Sequence, residues 1–284
     1  MKVEPLDATL GAVVTDVRLA ELDDDTWAEV EAAFHEHAVL VFPGQHLTSD
    51  EQLAFATRFG DIEVLAGNDG MTPISNTTRE GDVLGAENPV MSILRGNSGW
   101  HTDSSYMPVA AKASMLSAHV VPANGGGLTE WADMRAAYDE LDDETKQVLD
   151  GRSAAHSIVY SQQRAGEQVF QGGYGYDVEV APRRELVKRH PATGRPALFI
   201  GRHAHDVTGM TEAESEALLD RLMDFACRPP RTYTHHWQVG DLVVWDNRCV
   251  LHRAQPWDWS EPRVMKHTRI AGDPATESAL PVLA

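Results

Sequence analysis

The feature that most constrains the fold of this 284-residue chain is a pair of signals that lie far apart in the sequence. His101 and Asp103 are two residues apart, and His252 closes the segment WDNRCVLH, residues 245–252. Side chains at positions i and i+2 of an extended segment point to the same side, so that His101 and Asp103 can reach one ion. A fold that uses all three side chains must bring two distant segments together.

Two imidazoles and one carboxylate can hold a metal ion on one face and leave its opposite face open. Non-haem iron(II) needs this arrangement in order to bind a co-substrate and oxygen together. A structural zinc site would instead close all four positions, usually with thiolates. Each signal taken alone has an ordinary explanation, because the chain contains 13 histidines and many aspartates. Among the histidines, His252 is the best placed second imidazole, since a polar loop precedes it and an arginine-bearing strand follows.

That strand is predicted over residues 263–271, where Arg263, Met265, His267 and Arg269 alternate onto one side. A guanidinium that points into the interior is costly unless it meets an anion. A dicarboxylate co-substrate would supply that anion and form a bidentate ion pair with the guanidinium. The hydroxyl of Thr129 could donate to the same carboxylate. The alternatives are a solvated strand face with surface ion pairs and an ordinary strand threonine.

Charge and composition exclude several classes of partner. The formal net charge is −19, which argues against nucleic acid or an anionic membrane surface. The two cysteines form no CxxC pair, and we find neither a signal-peptide pattern nor an apolar run of about 18 residues. We therefore expect one domain over residues 1–284, located in the cytoplasm and with no membrane or nucleic-acid partner.

The periodicity of the chain predicts mainly β structure with flanking helices. We expect helices over residues 23–38 and 133–141, and two more that begin at capping boxes, Thr48 with Glu51 and Thr211 with Glu214. Strands are expected over residues 39–42, 114–121, 197–201, 232–237, 242–245 and 263–271. Residues 67–99 look irregular and are a candidate lid, and residues 152–184 are ambiguous. Short strands with helices packed outside favour a sandwich or jelly-roll core.

Several longer stretches carry a resemblance to a known family. They are HAVLVFPGQHLTSDEQLAFATRFGDIE, WHTDSS, GGLTEWADMRAAYDEL and WDNRCVLHRA. The chain resembles the iron(II)/2-oxoglutarate-dependent dioxygenases of the taurine dioxygenase and 2,4-dichlorophenoxyacetate dioxygenase (TauD/TfdA) family over nearly its whole length, with the herbicide-degrading branch the more similar. The resemblance implies a double-stranded β-helix, a jelly roll with flanking helices.

The resemblance also implies roles for individual residues. His101, Asp103 and His252 would bind iron(II), and Thr129 and Arg263 would hold the distal carboxylate of 2-oxoglutarate. Asn97 would lie beside the co-substrate, and no catalytic residue beyond the metal ligands is expected. The family often has a second arginine where this chain has His267. Arg269, two residues further on, could reach the same neighbourhood, or His267 could take over that role.

The implied reaction uses iron(II), 2-oxoglutarate and O2 to hydroxylate an unactivated C–H bond of a small, anionic, aryloxyalkanoate- or sulfonate-like substrate. The product could then collapse with cleavage of a C–O, C–S or C–N bond. His267, Arg95 and Arg202 are weaker candidates for the substrate side. The alternatives are a natural-product tailoring hydroxylase of the same family, a non-catalytic 2-oxoglutarate-binding jelly roll and a zinc hydrolase. The family also implies a homo-oligomer, a dimer or a tetramer.

Overall fold

The computed structural model describes residues 1–65, 69–169 and 175–281. In chain order its strands are β1 (Lys2–Pro5), β2 (Ala12–Thr15), β3 (Val39–Phe42), β4 (Thr72–Ser75), β5 (Ala113–Val120), β6 (Thr129–Asp133), β7 (Ser153–His156), β8 (Arg183–Glu185), β9 (Val187–Arg189), β10 (Pro196–Leu198), β11 (Ala204–His205), β12 (Thr232–His235), β13 (Leu242–Asp246), β14 (Val250–Ala254) and β15 (Val264–Ile270).

A seven-stranded major sheet has the order β1-β2-β3-β13-β5-β15-β4, and a three-stranded minor sheet has the order β12-β6-β14. Two smaller sheets, β11-β7-β8 and β10-β9, flank them. The central strands β3 and β13 are buried along their whole length. Their continuous apolar runs are typical of strands that are covered on both faces.

The helices are α1 (Asp24–His37), α2 (Ser49–Thr57), α3 (Pro89–Gly96), α4 (Met134–Asp139), α5 (Asp143–Leu149), α6 (Ile158–Arg164), α7 (Glu212–Ala226) and α8 (Pro274–Glu277). Both predicted capping boxes are present, at Thr48 with Glu51 and at Thr211 with Glu214. In each box the threonine side chain accepts from the N3 backbone N–H and the glutamate accepts from the threonine N–H, which fixes where the helix begins.

Two apolar cores lie on the two faces of the major sheet. One packs α1 and α2 against the sheet and contains Phe34, Phe42 and Phe55. The other fills the space toward the minor sheet and contains Trp131 and Trp245. The predicted mainly β fold with a jelly-roll core and flanking helices is confirmed. In the part of the chain that is described, no helix combines the length and apolar character needed to cross a membrane.

The prediction that residues 67–99 are irregular throughout was wrong. This segment contains β4, which pairs with β15, and α3. Asn88 caps α3, Pro89 begins it, and Met91 and Leu94 pack against Trp257. A helix of only eight residues derives most of its stability from such tertiary packing rather than from its own sequence. Residues 67 and 68 of the segment lie outside the described residues.

Candidate metal centre and substrate cavity

The two predicted imidazole ligands lie side by side because their backbones pair. The N–H of His101 donates to the carbonyl of His252 at 2.9 Å, and the reverse bond measures 2.8 Å. His252 belongs to β14, so this bridge attaches the His101 segment to the minor sheet. Asp103 lies next to them, with its Oδ2 3.7 Å from Nε2 of His252. One ligand atom from each of the three side chains lies within 4.8 Å of the other two. We call this group the metal triad.

The hydrogen bonding of His101 suits a metal ligand. Its Nδ1 lies 2.8 Å from the carbonyl oxygen of Gly99, which can only accept, so that Nδ1 carries the proton. The lone pair is then on Nε2, and a histidine that binds a metal through one nitrogen usually donates its other N–H to a partner of this kind. Burial lowers the pKa of His101 to about 4 and holds the pKa of His252 well below its usual value. Both imidazoles are therefore neutral near pH 7, which is the form that binds metal.

Asp103 remains ionised although it is buried. Burial by itself would raise the pKa of this carboxyl, but Arg269, His252 and His267 hold it well below its usual range. Arg269 Nη2 lies 3.3 Å from Oδ1, and His267 Nε2 lies 3.3 Å from Oδ2. The hydroxyl of Ser114 donates to Oδ2 at 2.7 Å. A carboxylate in this environment is an acceptor-only group, ready to bind a cation.

The metal triad lines a cavity, and Arg263 lines the same cavity. Arg263 is fully buried, donates from Nε to the carbonyl of Gly127 at 3.0 Å, and lies over the ring of Trp257. It has no ion-pair partner among the described residues, and burial lowers its pKa to about 10. A Cβ at Gly127 would lie 2.8 Å from Cδ and Nε of Arg263, so glycine is needed there.

Thr129 lines this cavity as well. Its hydroxyl oxygen accepts a hydrogen bond from Nε1 of Trp237 at 3.0 Å, which leaves its own proton free to be donated elsewhere. A buried guanidinium without an anion, next to a hydroxyl with a proton to donate, is the pair that would bind a carboxylate. Asn97, the C-cap residue of α3, also lines the cavity.

Arg202 also lines the cavity. The lining further includes the side chains of Ile93, Tyr106, Ile158 and Tyr176. The guanidinium of Arg202 donates to the carbonyl of Gly96 and to Oε1 of Gln162, and neither of these partners is charged. No ion pair is formed by Arg202 within the described ranges. Burial lowers its pKa.

Comparison with known proteins decides the family. The model of the taurine catabolism dioxygenase TauD, TfdA family matches residues 2–269. The chain belongs to the TauD/TfdA family. It is 53% identical to the (S)-phenoxypropionate/alpha-ketoglutarate-dioxygenase of Delftia acidovorans, with 98% of each chain covered. It is 38% identical to the alpha-ketoglutarate-dependent 2,4-dichlorophenoxyacetate dioxygenase of Cupriavidus pinatubonensis, covering 95% of this chain and 97% of that one.

Among solved structures, AAD-2 in complex with Mn(II) and N-oxalylglycine superimposes with a TM-score of 0.90 at 37% identity and covers 99% of both chains. This member of the TauD/TfdA family is therefore a 2-oxoglutarate-dependent dioxygenase that uses iron(II), 2-oxoglutarate and oxygen. These comparisons favour the oxidoreductase over the non-catalytic binding protein and over the zinc hydrolase.

The structure brings together all but one of the residues that the sequence proposed. The metal triad, Asn97, Thr129, Arg202, Arg263, His267 and Arg269 all line the one cavity. Arg95 is not among the residues that line this cavity. Its side chain is 41% exposed and forms an ion pair with Glu167.

The sequence left open whether Arg269 or His267 stands in for the family's second arginine. Both side chains reach Asp103, from opposite sides of its carboxylate. Arg269 also lies 3.3 Å from Oγ of Ser104 and 3.8 Å from Glu63, so its charge is shared among several neighbours. His267 stacks on Trp245 with ring centroids 5.8 Å apart.

Sequence reasoning missed three residues near Asp103. Ser114 hydrogen bonds to Asp103 itself, Asn247 hydrogen bonds to Ser114, and Glu63 hydrogen bonds to the neighbouring Ser104. Ser114 is a fully buried residue of β5, and a serine between the apolar residues Ala113 and Met115 was the only signal in the sequence. Asn247 was read only as part of a polar loop, although it is buried. Glu63 has no local signal, because it reaches Ser104 from 41 residues away.

Proposed function

We propose that this enzyme hydroxylates the carbon that bears the ether oxygen of a small aryloxyalkanoate anion. The observation that carries the proposal is the partly buried guanidinium of Arg202, which lines the same cavity as Arg263 and forms no ion pair among the described residues. Two arginines on the wall of one cavity suit two different carboxylates. The 53% identity with a phenoxypropionate dioxygenase supports the same substrate class.

In this proposal, His101, Asp103 and His252 hold the iron. The distal carboxylate of 2-oxoglutarate binds between Arg263 and Thr129, which explains why Arg263 is buried with no ion-pair partner among the described residues. Asn97 and Arg269 lie beside the co-substrate. When bound, the iron couples oxidative decarboxylation of 2-oxoglutarate to succinate with oxygen activation. The protein's own contribution is to position both anions and to exclude water.

Arg202 would bind the substrate carboxylate, with the aryl group against Ile93, Ile158, Tyr106 and Tyr176. His267 would contact the substrate or the co-substrate near Asp103. Hydroxylation at the ether carbon gives a hemiacetal or hemiketal, which collapses to a phenol and a carbonyl product. The C–O bond therefore breaks after the hydroxylation and needs no separate catalytic residue.

The test is a panel of aryloxyalkanoates, sulfonates, sulfate esters and amino acids, incubated with iron(II), 2-oxoglutarate and air. We expect succinate release to be stimulated most by an aryloxyalkanoate, with phenol formed in equal amount. The Asp103→Ala variant is the control for metal-dependent chemistry, and normal turnover by it would refute the assignment. Stimulation by a sulfonate or an amino acid alone would refute the substrate class and leave the metal site intact.

The substrate side has its own variant. In Arg202→Gln we expect the KM for the aryloxyalkanoate to rise about 10- to 100-fold, because a hydrogen bond to a charged group contributes about 1.5–3 kcal/mol. The KM for 2-oxoglutarate should change little, since Arg263 is intact. Steady-state succinate assays measure both constants. An equal rise in both would mean that Arg202 supports the cavity as a whole and does not select substrate.

The proposal also includes features of the whole molecule. We propose a single domain over residues 1–284, a homo-oligomer as in the sequence expectation, and a cytoplasmic location without nucleic-acid or membrane partners. Both cysteines are unpaired, which agrees with a reducing compartment. Sedimentation of the purified protein would test the oligomeric state.

A further inference from the structure

A continuous line of hydrogen bonds leads away from Asp103 into the core. Ser114 Oγ donates to Oδ2 of Asp103 at 2.7 Å, and Nδ2 of Asn247 donates to Ser114 Oγ at 2.8 Å. Nε1 of Trp245 donates to Oδ1 of Asn247 at 3.0 Å. All four residues are at least nine-tenths buried. The line joins β5 to the turn between β13 and β14, the strand that carries His252.

The chemistry of the groups fixes the direction of every proton in this line. An indole N–H can only donate, so the amide oxygen of Asn247 must face Trp245 and its NH2 must face Ser114. The serine oxygen then accepts from the amide, and its single proton has one remaining partner, Oδ2 of Asp103. If the serine hydroxyl rotated away from Asp103, its proton would lose its one remaining partner. The hydrogen bond to Asp103 is therefore held in place.

Asn247 is itself held at its backbone. Its N–H donates to the carbonyl of Lys112 at 3.0 Å, and its carbonyl accepts from the hydroxyl of Thr102 at 2.8 Å. Thr102 lies between His101 and Asp103 in the sequence. One asparagine thus contacts the metal-binding segment twice, once through Thr102 and once through Ser114.

The geometry points to Ser114 and Asn247 as positioning residues that hold the Asp103 carboxylate in the orientation that binds the metal. This inference rests on the proposed metal site. Partners that hydrogen bond to metal ligands orient them, and their loss typically weakens metal binding about 10- to 100-fold. The side-chain NH2 of Asn247 reaches the Asp103 carboxylate through Ser114, because it donates to the serine oxygen and not to the carboxylate itself.

Metal binding provides a readout that does not depend on turnover. Titration of the metal-free protein with Mn(II), followed by the EPR signal of aqueous Mn(II), gives Kd directly. We expect Ser114→Ala to raise Kd about 10-fold, and Ser114→Thr, which keeps the hydroxyl, to restore most of the affinity. Ser117→Ala is the matched control, because Ser117 is a buried serine of the same strand that donates to Gln52, away from the triad.

A double-mutant cycle tests the order of the two residues. Asn247→Ala should raise the Mn(II) Kd by about the same factor as Ser114→Ala. The double variant should bind no more weakly than the poorer single variant. If the two losses add, Asn247 acts by another route, and the inference that it acts through Ser114 is refuted. If Asn247→Ala does not fold, the two serine variants and the Ser117 control still decide the role of Ser114.

Other outcomes separate this inference from the proposed function. Wild-type affinity in Ser114→Ala, or an equal loss in Ser117→Ala, would overturn the positioning role while the metal site stands. Failure of the wild-type protein to bind Mn(II) at all would overturn the proposed metal site itself.

Discussion

Two buried clusters in this protein have nearly the same composition and different chemistry. The metal triad contains His101, Asp103 and His252. A second group, the Asp246 cluster, contains His190, Asp246 and Cys249, whose ligand atoms also lie within 4.8 Å of one another. Only the metal triad lines the substrate cavity, among the residues described. Composition and distance alone would assign a metal to both.

The protons on the histidines distinguish the two clusters. Nδ1 of His190 accepts from the backbone N–H groups of Ala192 and Thr193 at 3.3 and 3.2 Å, so Nε2 carries the proton and donates to Asp246 at 2.9 Å. Neither ring nitrogen keeps a lone pair for a metal. His101 has the opposite tautomer, because its Nδ1 donates to the carbonyl of Gly99.

The carboxylates of the two clusters also differ in whether their oxygens are available to a metal. Arg248 occupies both oxygens of Asp246, at 2.8 and 2.6 Å, and His190 adds a further bond. Asp103 faces the cavity, and its nearest arginine nitrogen lies 3.3 Å away. The Asp246 cluster is thus a closed ion pair that stabilises the turn between β13 and β14, whereas the triad keeps acceptors available for a cation.

The largest expected effect is on stability, in the Asp246 cluster. Asp246→Asn leaves the buried Arg248 without its counter-charge, and we expect the free energy of unfolding to fall by about 3–5 kcal/mol. Urea denaturation measures this change. Asp220→Asn, which breaks the exposed pair with Arg164, is the matched control and should change stability by less than about 1 kcal/mol. Equal losses in both variants would contradict the contrast between the clusters.

The next largest effect is expected on the metal affinity of the metal triad. Asp103→Asn keeps the shape of the side chain and removes its charge, and we expect Mn(II) affinity to fall by more than about 100-fold, beyond the loss typical of outer hydrogen-bond partners. The folded fraction of Asp246→Asn should bind Mn(II) like the wild type. EPR titration decides both. Loss of metal in the Asp246 variant alone would reverse the assignment of the two clusters.

The sequence predicted the triad because His101 and Asp103 lie at a spacing that local geometry interprets, and because the following strand places Arg263 and Arg269 on one face. The fold was predictable for a similar reason, since α1, α2 and α7 carry complete start signals. The N-terminal strands β1 and β2, four residues each, were not predicted.

The Asp246 cluster and the line through Asn247 could not be predicted. The segment Asp246-Asn247-Arg248 looks like a solvated polar turn, and its burial depends on distant residues. His190 lies 56 residues from Asp246, and Ser114 lies 133 residues from Asn247. Contacts between residues so far apart in the sequence leave no local pattern of residue types. Only the folded structure therefore distinguishes a buried polar turn from an exposed one.

A smaller effect is expected on the pH dependence of stability, through the ion pair of Asp246 with Arg248. Burial opposes ionisation of this carboxyl, but Arg248 and His190 hold its pKa well below the usual value. A depressed pKa in the folded state contributes stability above the unfolded pKa of about 3.9, and that contribution is lost as pH falls below it. The stability difference between wild type and Asp246→Asn should therefore shrink below about pH 4, by up to about 1.4 kcal/mol per pH unit. A constant difference in urea denaturation from pH 7 to pH 2.5 would contradict this.

The smallest effect tests whether Cys249 has any role as a ligand. Cys249 is buried, and burial raises the pKa of its thiol well above the usual value, which disfavours the thiolate that a metal requires. Cys249→Ala removes one heavy atom from the core, so we expect a loss of about 1 kcal/mol in unfolding free energy. The number of Mn(II) or Zn(II) ions bound per chain should not change. If that number falls in Cys249→Ala, the Asp246 cluster holds a metal, and the proton argument that separates it from the triad is wrong.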